Sequence, residues 1–185
     1  MYNKDMFTDP KKNVLEFGFI PGQKVVDLGS GSGHYSSALS QALGSSGKVV
    51  AIDLDKDLLV KLKNELTGTT RDNIEILDGD VEKIGGTKLR DAYADGVVFS
   101  NILYQLRDIG GALEEAKRIL KPGGKACVVE WKDLKFMTGG KSEGGRQAVP
   151  EVDVKKFFET AGYVFERSFF AGESHYGLIF KKPLQ

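Results

Sequence analysis

Apolar residues along the chain fall into two alternating patterns. Short β-branched runs are nearly continuous, as strands buried on both faces must be: KVVDL (24–28), KVVAIDL (48–54), NIEIL (73–77), DGVVFS (95–100) and KACVVEW (125–131). Between them apolar positions recur at helical spacing. Tyr35, Ala38, Leu39, Ala42 and Leu43 share one helical face, with Gly44 as a stop. Leu58, Leu59, Leu62 and Leu66 share a second, and Ala112, Leu113, Ala116, Ile119 and Leu120 a third that KPGG ends. A further helix is predicted around 152–161, presenting Val154, Phe157, Phe158 and Ala161. Strands alternating with helices predict a parallel sheet covered on both faces. The last two runs, YVFERSFF (163–170) and HYGLIFKK (175–182), are separated only by AGES (171–174). That loop is too short for a crossover helix, so this pair is predicted antiparallel. The pattern is α/β, with five parallel strands followed by a C-terminal hairpin.

Composition changes this picture little. The 185 residues suit one domain, 1–185, with 41% hydrophobic and 28% charged residues. Twenty-six basic side chains balance 26 acidic ones, which argues against an extended nucleic-acid surface. No apolar run approaches the length of a membrane span, and the polar start MYNKDMFTDPKKN lacks a signal-peptide core, so a cytoplasmic protein is expected. Cys127 is the only cysteine and reads as a small buried hydrophobe; with two distant histidines, no metal site is expected.

Candidate chemistry concentrates in VVDLGSGSGH (25–34), which joins the first strand to the first helix. Glycines at 29, 31 and 33 are more than a plain turn needs, and they let backbone N–H groups approach a ligand closely. A dinucleotide fingerprint would place glycine where His34 stands, and the Gly-Lys-Ser/Thr ending of a phosphate loop is missing. Asp27, two residues before Gly29, would repel a pyrophosphate and attract a cationic ammonium. Asp53 ends the second strand, where a carboxylate beside the turn accepts hydrogen bonds from ribose hydroxyls, while Asp55 is the better helix cap.

Together DLGSGSG, AIDLD, LDGDVE (77–82), ADGVVFSN (94–101) and LKPGGKACVVEW (120–131) resemble class I S-adenosylmethionine-dependent methyltransferases, particularly the small ones related to ubiquinone and menaquinone biosynthesis. The resemblance implies a Rossmann-like, doubly wound sheet of seven strands in the order 3-2-1-4-5-7-6, with helices on both faces. It implies that Asp27, Gly29, Ser30, Gly31 and Gly33 hold the methionine part of S-adenosylmethionine. Asp53 would hold the ribose, with Leu54 beside the adenine. Asp80 would take the adenine amino group, with Val81 beside it; Asp78 competes for this role, but Asp80 falls in the loop rather than on the strand. Asn101 would lie near the methionine end, its alternative being a cap for the next segment. LKPGGK reads as structural: Lys121 and Pro122 end the helix and the glycines turn into the fifth strand.

Methyl transfer is a displacement on an already activated carbon, so alignment and exclusion of water are the main demands. No base is obvious; Glu130 and His175 are the weak candidates, and Trp131 and Tyr176 read as packing. The fourth strand ends SNIL rather than the Asn/Asp-Pro-Pro-aromatic signature of enzymes that methylate amino groups of bases or glutamine, and one cysteine does not suit arsenite chemistry. A small acceptor, lipid-like or quinone-like, is expected, with Phe7, Tyr35, Tyr104 and Phe136 as pocket or core residues. The alternatives are an RNA or protein acceptor, favoured by a basic face at Lys132, Lys135, Lys141 and Arg146, and a cofactor-binding module without catalysis. Residues 132–150, with glycine pairs at 139–140 and 144–145, are expected to form a mobile lid over the acceptor.

Overall fold

The computed structural model describes residues 8–69, 71–135 and 147–185. Seven strands form one sheet: β1 (Lys24–Leu28), β2 (Lys48–Asp53), β3 (Ile74–Asp78), β4 (Ala94–Ser100), β5 (Leu120–Trp131), β6 (Val164–Phe169) and β7 (His175–Lys181), in the order β3-β2-β1-β4-β5-β7-β6. The first five pair in parallel, and β7 joins both β5 and β6 antiparallel. The helices are α1 (Pro10–Phe17), α2 (His34–Leu43), α3 (Lys56–Leu66), α4 (Ile109–Ile119) and α5 (Glu151–Thr160). This is the expected doubly wound sheet with its terminal hairpin.

Strand alternation sorts the core into two layers. Val26, Leu28, Val97 and Phe99 pack with Leu113 and Ala116 of α4 and Phe158 of α5. Val25, Val49, Val98 and Val129 pack with Phe17 of α1 and Leu39 and Leu43 of α2. Asp27 has the same parity as Val25, so its carboxylate points under α2; Ser36 Oγ donates to its Oδ2 at 2.6 Å.

Several local outcomes differ from the sequence reading. Helix α1 was not anticipated in the polar start, although its signals are there: Asp9 caps it by accepting from the Lys11 N–H at 3.0 Å, Pro10 occupies the first turn, and Gly18 ends it at φ 64°. Helix α4 stops at Ile119, and Leu120 already pairs with Ala94. The KPGG segment bulges out of β5 instead of only turning into it, bonded to the end of β7 through the Gly123 N–H to the Lys182 carbonyl. Phe157 is 40% exposed because α5 buries only the strip of Val154 and Phe158. Of the expected lid, residues 136–146 lie outside the described residues, as do Phe7, Phe136, Lys141 and Arg146.

A buried carboxylate on α4 fixes the loop after β3. Glu115 accepts from the Gly85 N–H at 2.8 Å and the Thr87 N–H at 3.2 Å, and from Arg118 Nη2 at 2.7 Å. Burial alone would raise its pKa, but these donors, Arg118 foremost, hold it down at about 2. The loop that carries Asp80 is thereby tied to the helix layer.

The glycine turn supplies a stability test. A Cβ on Gly33 (φ +85°) would stand 2.2 Å from Leu62 Cδ1, whereas one on Gly31 (φ +54°) would meet nothing within 4 Å. Gly33→Ala is expected to lower stability by about 1–3 kcal/mol through overpacking, with backbone strain in addition. In urea unfolding it should shift the midpoint further than Gly31→Ala does, at unchanged slope.

Candidate active site

The carboxyl ends of β1, β2, β3, β4 and β5 and the first residue of β7 surround one cavity of about 770 Å³. Its floor is the glycine turn. The Ile52 carbonyl accepts the N–H groups of both Gly29 (2.8 Å) and Ser30 (2.9 Å), and Asp53 Oδ2 accepts that of Gly31 (2.8 Å). A Cβ on Gly29 would lie 1.8 Å from Ile102 Cδ1, so this glycine admits the loop after β4. Gly31 faces open space, and Gly33 packs on Leu62 away from the wall.

The residues singled out from the sequence divide by position. Gly29, Ser30, Gly31, Asp53, Leu54, Asp80, Val81 and Asn101 line the cavity. Asp53 keeps its orientation through Gly31 and, on its other oxygen, the Asp55 N–H at 2.9 Å. Asp55 caps α3. Asp80 meets Lys83 at 2.8 Å, which holds its carboxyl below the usual range, whereas Asp78 lies off the cavity, exposed and paired with Lys88 at 3.0 Å. Asn101 is not a cap: it takes the left-handed φ of +54°, and its N–H donates to the Val129 carbonyl at 2.9 Å.

Asp27 sits beneath the floor, fully buried, with Oδ1 unpartnered. Burial lifts its pKa to about 6, against the opposing bond from Ser36. Glu130 is buried off the cavity, accepting the Leu103 and Trp131 N–H groups, each at 2.8 Å, and burial pushes it up to about 7. It thus anchors the loop after β4. His175 does line the cavity; Ser174 Oγ meets its Nδ1 at 2.8 Å, and burial pulls its pKa down to about 4. Tyr176 packs in the core and donates to the Val149 carbonyl at 2.6 Å.

Sequence reasoning missed the role of Trp131, which lines the cavity with its indole N–H buried and unpartnered. It also missed the wall that α1 helps to build. Tyr35 and Tyr104 line the cavity together with Thr8, and the Tyr35 hydroxyl is held by Thr8 (3.0 Å) and Asn13 (2.8 Å). A nitrogen-bearing ring at the ligand end of a buried strand was the available signal for Trp131.

Among the described residues, five buried side-chain atoms lack a hydrogen-bond partner: Asp27 Oδ1, Ser30 Oγ, Asn101 Oδ1, Trp131 Nε1 and His175 Nε2. Four belong to the cavity wall and the fifth lies under its floor. Orphaned buried polar atoms are costly and uncommon, so their convergence marks a polar ligand site. Asp53, Asp55, Asp80 and Glu82 line the cavity, and among the described residues no lysine or arginine does.

Residues 26–128 match the methyltransferase domain family. The chain belongs to that family. This methyltransferase-domain chain is 34% identical over 122 residues to the ubiquinone/menaquinone biosynthesis C-methyltransferase UbiE of Francisella philomiragia, covering 65% of the chain and 48% of that protein. It is 31% identical over 119 residues to the demethylmenaquinone methyltransferase of Lactococcus lactis, covering 64% of the chain and 46% of that protein. The chain thus spans about half the length of these curated relatives. A solved SAM-dependent methyltransferase from Aquifex aeolicus superposes with a TM-score of 0.81 at 27% identity, covering 96% of this chain and 90% of that one. The [4+2]-cyclase SpnF shares the fold, with a TM-score of 0.78 at 12% identity, over 100% of this chain and 86% of its own. S-adenosylmethionine is the cofactor that the family and the Aquifex neighbour imply, and the cavity fits it. The acidic wall suits its positive charges, the open space at Gly31 admits it, and the orphaned atoms near the turn suit its polar methionine end.

A buried acid without a basic neighbour destabilises the ligand-free protein when it ionises. Because the folded-state pKa of Asp27 lies above its ordinary 3.8, at about 6, stability falls as pH rises from 3.8 to 6 and is flat above. That gap corresponds to at most about 3 kcal/mol. Asp27→Asn, whose amide oxygen can still accept from Ser36, is expected to raise the melting temperature of the ligand-free protein near neutral pH. The gain should vanish below about pH 4 in calorimetric scans.

Proposed function

We propose that the protein transfers a methyl group from S-adenosylmethionine to a small, uncharged acceptor. The observation that carries this reading is the charge of the wall: carboxylates with no lysine or arginine among the described residues suit a cationic ligand and repel a pyrophosphate. Asp53 would bind the ribose hydroxyls with the lone pairs left free by Gly31 and Asp55. Asp80 would take the adenine amino group, between Leu54 and Val81. Asp27, Ser30, Gly29, Gly31 and Asn101 would serve the methionine end, with Gly33 shaping the turn through its packing. Bound S-adenosylmethionine supplies a methyl group already activated on a sulfonium. The chain's residues would align the acceptor for in-line attack and keep water out.

Relatives named for quinone biosynthesis support a quinone-like acceptor. An RNA or protein acceptor is less favoured: Lys132 Nζ donates to the Glu173 carbonyl at 2.9 Å and Lys135 pairs with Asp133 at 2.9 Å, so neither offers a free basic face. The module without catalysis is disfavoured by the open cavity.

Calorimetry is expected to show binding of S-adenosylhomocysteine and none of NAD. Asp53→Ala should weaken that binding by about 1.5–3 kcal/mol, the range for hydrogen bonds to a charged group. Release of S-adenosylhomocysteine from S-adenosylmethionine in the presence of small quinols tests turnover; its absence with every uncharged acceptor tried would refute the transferase reading.

The pH dependence of binding is a separate outcome. S-adenosylhomocysteine keeps its ammonium, so its affinity should rise with pH as Asp27 ionises near 6 and level off above. In Asp27→Asn that rise should be lost.

A further inference from the structure

The cavity has two halves of different character. Its carboxylates come from the ends of β2 and β3 and the loops that follow them. Among the described residues, the part of the lining that comes from the ends of β4 and β5 and the start of β7 contributes no charged side chain: it includes Asn101, Tyr104, Gln105, Leu106, Trp131 and His175, and Glu82 adjoins it by accepting the Arg107 and Asp108 N–H groups. His175 is 1% exposed and Trp131 6%. Their ring centroids are 3.9 Å apart at a tilt of 40°. Trp131 Nε1 and His175 Nε2 are both buried without partners.

From this juxtaposition we infer that Trp131 and His175 together form the acceptor subsite, and that it selects an uncharged ring bearing a hydroxyl. The inference rests on the methyl-transfer reading above. Indole N–H only donates, so Trp131 asks for an acceptor atom. One ring nitrogen of His175 is engaged by Ser174, and the other then donates or accepts according to the tautomer. A hydroxyl oxygen has one proton and two lone pairs, so it satisfies Trp131 and His175 at once with either tautomer. A carboxylate can accept from Trp131, but among the described residues no lysine or arginine lines the cavity to offset its desolvation. An ammonium has no lone pair with which to accept from Trp131. Burial keeps the imidazole neutral at neutral pH, which agrees with an uncharged partner. The tyrosine, leucine and indole surfaces supply flat apolar walls for a ring.

Trp131 is the only tryptophan in the chain, so its fluorescence reports from this half of the cavity. The protein is first saturated with S-adenosylhomocysteine, followed by calorimetry, then titrated with phenol, benzoate and benzylammonium under red-edge excitation. Phenol is expected to change the emission saturably and to bind at least about tenfold more tightly than either charged analogue, the equivalent of one hydrogen bond to a buried group. His175→Phe should weaken phenol binding by about tenfold or more. His175→Gln, which restores an amide nitrogen near the Nε2 position, should recover most of it. Both variants should keep the affinity for S-adenosylhomocysteine, which also shows that they are folded. Equal binding of the three probes, no response to phenol, or a His175→Phe protein that binds phenol as before would overturn the subsite and leave only an ordered water there. Failure of S-adenosylhomocysteine to bind the unaltered protein would instead remove the methyl-transfer reading.

Discussion

The site depends on one carbonyl and one carboxylate at the end of β2. Ile52 O gathers the N–H groups of Gly29 and Ser30, and Asp53 takes that of Gly31. Three successive donors of the turn after β1 are thus fixed by the neighbouring strand, not by α2. The turn is therefore set before any ligand arrives, and its backbone curvature requires positive φ at residues 29 and 31. Without this tether the β1 turn would follow α2, and the floor of the cavity would move with the helix. With it, the close approach of Ile102 to Gly29 brings the loop after β4 into the same rigid frame.

A second constraint is the treatment of buried acids. Glu115 is satisfied by three backbone or guanidinium partners and remains ionised; Glu130 is surrounded by backbone N–H groups; Asp27 draws its donors from Ser36 alone and keeps one bare oxygen. The first two are structural, holding the loops after β3 and β4. Only the third is left electrostatically incomplete, and it lies under the turn. Incomplete satisfaction in an otherwise well-paired interior separates a binding role from a scaffolding one.

The fold was legible because near-continuous β-branched runs and helical periodicity alternate without interruption, and because AGES admits only a hairpin. The cavity placement of Asp53, Gly29 and Gly31 was legible because the ligand edge of a parallel sheet follows from strand direction, whereas that of Asp80 was legible only through the family resemblance. What could not be read was depth. Asp27 and Glu130 both end up off the cavity wall, because side-chain parity and loop closure, not position along the strand, decide which face an acid meets. Trp131 looked like packing because its ring does pack; only the unpartnered nitrogen distinguishes it. Gly33 looked like its two neighbours, yet its space is filled by Leu62, from a helix more than twenty residues on.

The antiparallel entry of β7 has a consequence for how the molecule is made. A parallel strand delivers its last residue to the ligand edge; β7, reversed, delivers its first, His175, opposite Trp131. The family match ends at residue 128, after β1 to β4 and most of β5. A ribosome therefore releases the glycine turn, Asp53 and Asp80 long before the residue that completes the other wall. Until β7 emerges, the nascent sheet has a groove open along β5, whose ladder is unpaired on that side until β7 inserts between β5 and β6. On pairing, β7 thus closes both the hydrogen-bonded edge of β5 and the chamber in front of it.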